Sequence, residues 1–333
     1  MRADGRGQEG QGLTVLLAEV EAANLLPIDV DSLFLGGSCP CDLFRRLQGG
    51  EYVLFAAQGH EFDGDSRIRL KQFGTEVLYI RREAATSYSR FLKESLTRLI
   101  RDPSISAAAK AQAVQVACRE VLRRICEEPR AAFVSQASEI IAPTVELIVA
   151  SDEAARHLVR LTSFDHATYV HSTNVGIFAL ALARLFFGED PQHDLHRLGA
   201  GFFLHDLGKC LVPLEILNKP GALTAAERQI MNRHVEDGFR LLEESHMLTD
   251  EVRTIVLQHH ERDNGSGYPY GMTGPDIHPY ARICRLADIY EALTSNRPYH
   301  TRRSTFEALK FMRETVVADV DEQLFGHFVR LFM

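Results

Sequence analysis

The chain has 333 residues, 45% of them hydrophobic and 25% charged, with a formal net charge of -8 at pH 7. That length holds a sizeable core and two domains. The acidic balance excludes polyanion binding by bulk charge, DNA included, so an anionic substrate must meet a local basic or metal-rich pocket. No apolar run in the sequence approaches the ~20 residues of a membrane span. The Gly-rich, polar N-terminus has no signal-peptide pattern, and a cytoplasmic protein is expected. Of the six cysteines only Cys39 and Cys41 are close in sequence, with no second pair to complete a zinc site. Reduced thiols are the expected state.

Residues 1–12 read as a disordered tail. Ile28-Asp29-Val30 and Leu33-Phe34-Leu35 read as strand. Asp42 is placed to cap a short helix through Leu47. Tyr52 to Phe55 and Val77 to Ile80 are further strand candidates, with a helix over 66–73 between them. Residues 1–83 therefore form a small α/β domain with no phosphate loop, nucleophile motif or ligand cluster. A regulatory or docking role follows, through a homodimer contact or a signalling-protein partner.

From about Ala84 the chain reads as helical, so the fold class is mainly α behind the small α/β domain. Residues 84–151 form a helical linker region, either a stalk between domains or an outer layer of the second. Its helices cover 107–126 and 131–150, the latter kinked or broken at Pro143. The catalytic half is 152–333. Asp165 is placed to cap a helix through Phe187 that carries His171. Residues 195–204 lead into His205-Asp206, Gly208 breaks that helix, and Lys209 stands at the mouth. Thr224 and Glu227 have capping-box spacing, opening a helix that carries His234 and ends near Gly238. His259 shares a face with Val252, Ile255 and Val256, and His260 is turned roughly 100° from it. A Gly-rich loop holds Gly267, Tyr268 and Pro269, and a last helix from about Pro279 to Asn296 sets Asp288 among apolar residues.

A lone His-Asp pair is more often a surface histidine beside a capping aspartate. Here His171, His205, Asp206, His234, His259, His260 and Asp288 come from five helical segments of one domain. Imidazole and carboxylate together suit iron, manganese or zinc better than calcium. The count exceeds the needs of one ion. Two ions sharing Asp206, with water or hydroxide between them, polarise a phosphoryl group, and phosphodiester hydrolysis is the reaction class that follows.

The chain resembles the HD-GYP phosphodiesterases, a branch of the HD superfamily of metal-dependent phosphohydrolases. The stretches that carry the resemblance are His171-Ser172-Thr173-Asn174-Val175, His205-Asp206-Leu207-Gly208-Lys209, Lys219 to Thr224, His234 with Gly238, His259-His260-Glu261, Gly265 to Pro269, and Ala292 to Tyr299. It implies an all-helical HD-type catalytic domain that hydrolyses cyclic di-GMP to the linear dinucleotide or GMP, by a metal-bridging hydroxide, in bacterial signalling. It implies two divalent ions, iron or manganese, held by His171, His205, Asp206, His234, His259, His260 and Asp288. His205, Asp206 and Lys209 are the implied catalytic residues. Lys209, Arg297, Tyr268, Gly267 and Pro269 are the implied substrate contacts. Some members hold a third ion through a Glu four residues before the first His, where this chain has Ala167. His166 is an extra imidazole, read as solvent-exposed, and Glu291 stands where Asp is common. Two other readings stay open: a catalytically quiet binding or scaffold protein, and a phosphodiesterase for mixed cyclic GMP-AMP.

Overall fold

The computed structural model describes residues 22–35, 37–62, 64–162, 167–296, 302–316 and 321–333. They form two compact units, Met1–Phe91 and Leu92–Met333.

The first unit is a four-stranded antiparallel sheet, order β1-β4-β2-β3, with β1 at Leu25–Asp29, β2 at Leu43–Arg46, β3 at Tyr52–Ala56 and β4 at Val77–Arg81. Helix α1, Gly64–Gln72, precedes β4, and α2, Ala85–Arg101, leaves the unit at its C-terminal end. Side chains alternate faces along a strand. The buried pairs Leu26↔Ile80 and Ile28↔Leu78 therefore share the core face, while Tyr52 and Tyr79 meet edge-on at 4.9 Å. Two sequence expectations fail here. Residues 30–35 form a 3-10 helix rather than strand, with the Ser32 hydroxyl bonded to the Asp29 carbonyl and to Tyr88. Asp42 caps no helix: its side chain accepts from the Gln58 amide at 3.0 Å, and the residues after it are β2.

The second unit is helical. Its elements are α3 Ala107–Glu127, α4 Ala131–Ala150, α5 Asp152–Leu161, α6 Thr168–Phe187, α7 Leu195–Leu204, the short α8 Leu214–Leu217, α9 Ala225–Asn232, α10 His234–Glu244, α11 Asp250–Gln258, α12 Pro279–Thr294, α13 Thr305–Thr315 and α14 Glu322–Arg330. Helices α3 and α4 pack on α6 and α7 as an outer layer. Pro143 lies inside an unbroken α4. α4 and α6, each 20 residues, do match a membrane span in length and apolarity; 78% of the apolar window of α6 is buried inside the unit.

Helix α7 packs on α4, α6 and α11. Two glycines in ten residues cost it about 2 kcal/mol of helix propensity. They are kept because neighbours lie where side chains would go. A Cβ on Gly199 would stand 2.4 Å from Val145 of α4, and one on Gly201 would stand 2.5 Å from Ile255 of α11. From α6, Gly176 admits the ring of Phe203 in the same way, at 2.6 Å. These close approaches fix where α7 ends, and it ends at the His205-Asp206 pair.

Gly176→Ala should lower stability by about 1–3 kcal/mol through overpacking against Phe203, although alanine is the better helix former. Urea unfolding checks this, and a variant as stable as the parent would show that α6 and α7 are not seated on that contact.

Candidate metal centre

His205 is the C-cap of α7, and Asp206 opens the 3-10 turn Leu207–Leu211. Gly208 of that turn touches α10 so closely that a Cβ there would lie 1.9 Å from the His234 carbonyl oxygen. Gly238, expected to end a helix, instead lies within α10 as the other half of this contact. The expected helix over 224–238 is two helices, α9 behind a complete capping box at Thr224 and Glu227, then α10, with His234 as its first residue. His259 is the C-cap of α11. His171 lies in the first turn of α6, which begins at Thr168 behind Ala167. The expected cap Asp165, and His166, lie outside the described residues. α12 carries Asp288 and ends at Thr294.

These elements bring all seven candidate ligands together. Two groups could each hold an ion: Asp206, His234, His259 and His260, and His171, His205, Asp206 and Asp288. Asp206 belongs to both. Its Oδ1 lies 3.2 Å from His234 Nε2 and 3.6 Å from His259 Nε2, while its Oδ2 lies 3.1 Å from His171 Nε2 and 3.3 Å from His205 Nε2. Asp288 Oδ1 is 3.2 Å from His171 Nε2, and its Oδ2 is 4.0 Å from His260 Nδ1. Two ligands of one ion, each ~2.1 Å from it and at right angles, stand ~3 Å apart.

Asp206 Oδ1 and the Nε2 atoms of His171, His205, His234, His259 and His260 are buried with no hydrogen-bond partner. A buried polar atom without a partner is costly, so such atoms are rare unless a ligand or water completes them. The Nδ1 atoms of His205, His234 and His259 are held by backbone carbonyls. His205 Nδ1 meets the Phe202 carbonyl at 2.9 Å, His234 Nδ1 that of Met231 at 2.7 Å, and His259 Nδ1 that of Val256 at 2.9 Å. An Nδ1–H that donates to a carbonyl leaves the Nε2 lone pair facing the interior, the form that binds metal.

The charges fit a cation. Burial raises Asp206 and Asp288, but Lys209 and His205 for the first, and His171 for the second, outweigh it and hold both well below the ordinary carboxylate range. Burial lowers His171, yet Glu291, Asp206 and Asp288 pull it well above its usual value. Burial keeps His234 and His260 low, hence neutral and able to ligate. Lys209 Nζ donates to Asp206 Oδ2, and His171 sits among three carboxylates.

Two glutamates have supporting parts that sequence reasoning did not assign. Glu291, buried, binds His171 Nδ1 with one oxygen; its other accepts from Asn174 Nδ2 at 3.2 Å and Ser295 Oγ at 2.5 Å. Its position one helical turn after Asp288 was the available signal. Glu261, also buried, accepts from the amides of Tyr270 at 2.7 Å and Met272 at 2.9 Å, tying down the Gly-rich loop. That latch lays Tyr268 on His260, ring centroids 4.7 Å apart. Gly267 is pressed on the Arg262 amide, where a Cβ would be 2.4 Å away, and Pro269 follows Tyr268 in the same loop. Ala167 offers no ligand atom. Arg297 lies outside the described residues.

The HD domain family model matches residues 151–324. The chain is 35% identical over 233 residues to the cyclic di-GMP phosphodiesterase PA4108 of Pseudomonas aeruginosa, covering 65% of this chain and 56% of that protein. It is 43% identical over 110 residues to the cyclic di-GMP phosphodiesterase response regulator RpfG of Xanthomonas campestris, covering 33% and 29%. It is 36% identical over 169 residues to the 3'3'-cGAMP-specific phosphodiesterase 1 of Vibrio cholerae, covering 49% and 37%. The chain thus matches between 29% and 56% of the length of these relatives. Among solved structures, Bd1817, an HDG"Y"P protein from Bdellovibrio bacteriovorus, superposes with a TM-score of 0.71 over 92% of this chain and 99% of that one. At 20% identity this is a likeness of fold.

Glu291→Gln keeps the shape and removes the charge that holds His171. Affinity for Mn(II) should fall roughly 10–100-fold with the helical fold retained. Calorimetric titration checks this; unchanged affinity would mean that Glu291 does not orient a ligand.

Proposed function

The chain belongs to the HD domain family, and on that premise we propose that it is a metal-dependent phosphodiesterase of cyclic dinucleotides, cyclic di-GMP first among them. The observation that carries the reading is the Asp206 carboxylate, with one oxygen on each of two ligand groups. His171, His205 and Asp288 would hold one divalent ion, His234, His259 and His260 the other, and Asp206 both. The donor set suits iron or manganese, and with alanine at 167 the expected number is two. Bound there, such ions supply Lewis-acid polarisation of a phosphoryl oxygen and a lowered pKa for water.

The protein's own groups do the rest. Carbonyl and Glu291 contacts to the Nδ1 atoms fix His171, His205, His234 and His259 before substrate arrives. Lys209, beside Asp206 and partly open to solvent, would take a phosphate oxygen. Tyr268, backed by His260, forms a flat wall for the dinucleotide, with Gly267 and Pro269 shaping its loop. Arg297 supplies a forked contact to a second phosphate. The product is the linear dinucleotide or GMP, and the reaction belongs to bacterial second-messenger signalling in the cytoplasm. Residues 1–83 serve docking or dimerisation.

A second reading, turnover of 3'3'-cGAMP, is favoured by the names of three Vibrio cholerae relatives, 33–36% identical to this chain over their matched segments. A quiet scaffold is disfavoured, because it has no use for six orphaned buried ligand atoms.

The full chain, purified without oxygen and supplied with Fe(II) or Mn(II), should linearise cyclic di-GMP faster than 3'3'-cGAMP, and a chelator should abolish turnover. Chromatography of both reactions decides: faster cleavage of 3'3'-cGAMP reverses the base preference, and cleavage of neither by metal-replete protein overturns the reading.

Lys209→Ala should lower kcat roughly 100-fold with metal content unchanged. Arg297→Lys should act mainly on KM, since an ammonium cannot reproduce the guanidinium fork. Steady-state kinetics on metal-replete variants checks both, and unchanged kcat in the first or unchanged KM in the second means that the substrate lies elsewhere.

A further inference from the structure

Two of the six cysteines, 84 residues apart in sequence, meet beside the metal centre. Cys210 lies on the 3-10 turn that follows Asp206, and Cys126 is in the last turn of α3. The Cys210 thiol points at the Cys126 sulfur across 2.8 Å. Both are half-buried, and together with Asp206 they line one narrow cleft between α3, α6 and the turn. The other cysteines lack this arrangement. Cys118 and Cys284 are buried in helix cores, Cys118 against Thr144, where burial pushes its thiol up to about 12. Cys39 is engaged with the carbonyl of Cys41.

We propose that Cys126 and Cys210 are a redox modification site, oxidised by a peroxide to a reversible disulfide that ties the metal-bearing turn to α3. A bond of ~2.05 Å requires the sulfurs to close by only about 0.8 Å from where they stand. Cys126, whose sulfur accepts the Cys210 S–H, is the first to react. Its sulfur attacks one peroxide oxygen, the O–O bond breaks, and a sulfenic acid forms while hydroxide leaves and is protonated to water. The Cys210 sulfur then attacks the sulfenic sulfur. The S–O bond breaks, the thiol proton goes with the departing oxygen as a second water, and the S–S bond forms. Two electrons pass from the two sulfurs to the peroxide. The turn is held on its other side by Gly208 against α10. The cross-link therefore fastens it between two helices, at a point four residues from Asp206.

The test uses the full chain with a chelator present, treated with hydrogen peroxide at equal molar amount, then digested without reduction and analysed by mass spectrometry. The expected product is the Cys126 peptide joined to the Cys210 peptide, lighter than the two together by two hydrogens. Both thiols lose alkylation one for one, dithiothreitol restores both, and the oxidised chain melts at a higher temperature because the link closes a long loop. Cys39→Ser should still form the link. Cys210→Ser should instead leave Cys126 as a sulfenic acid that dimedone traps. The proposal is overturned if wild-type chain shows no joined peptide while Cys126 or Cys210 stays alkylatable or goes on to sulfinic acid, or if the link joins other cysteines.

Discussion

One carboxylate sets the terms for the helical unit. Asp206 is buried, its two oxygens face opposite ligand groups, and neither group is complete without it. Burying a carboxylate is expensive unless positive charge compensates it. Lys209 and the nearby histidines supply that charge, while Oδ1 has no hydrogen-bond partner. The site is therefore a stored demand for cations, built by helices that converge on one turn. The close glycine contacts of α7 and of Gly208 with α10 exist to bring that turn into place, at a cost in helix propensity that surface helices do not bear.

The same logic explains why the imidazoles are ordered before any ion arrives. Each ring would otherwise rotate and offer either nitrogen. Backbone carbonyls three residues earlier hold His205, His234 and His259, and all three sit where a helix starts or stops. His171, in the first turn of α6, is held by Glu291 instead. A backbone carbonyl and a buried carboxylate behind the ring are two solutions to a single orientation problem.

Much of the helical unit was legible in the sequence, because 3.6-residue periodicity and ligand residues are local signals. His171, His205, Asp206, His234, His259, His260 and Asp288 were all visible as candidates, and the structure brings them within reach of one another. The features that escaped are those set by distant packing. Residues 30–35 carry a strand-like apolar pattern, yet Ser32 bonds to the Asp29 carbonyl and to Tyr88 and the backbone turns. Pro143 did not break α4, because tertiary burial of Ile140, Ile141, Val145 and Ile148 around it outweighs the lost hydrogen bond. Gly238 read as a helix stop because its partner, Gly208, lies thirty positions earlier. Cys39 and Cys41 drew attention by adjacency, whereas the thiols that meet are Cys126 and Cys210. Periodicity reports which face of a helix is buried, and it is silent on what that face touches.

The central claim is that two ions share Asp206, and anomalous diffraction from a crystal grown with Mn(II) tests it most directly. The account predicts two anomalous peaks per chain, one beside each oxygen of Asp206, the first among His171, His205 and Asp288 and the second among His234, His259 and His260. A single peak, a third peak beside Ala167, or peaks that leave Asp206 uncoordinated would contradict it.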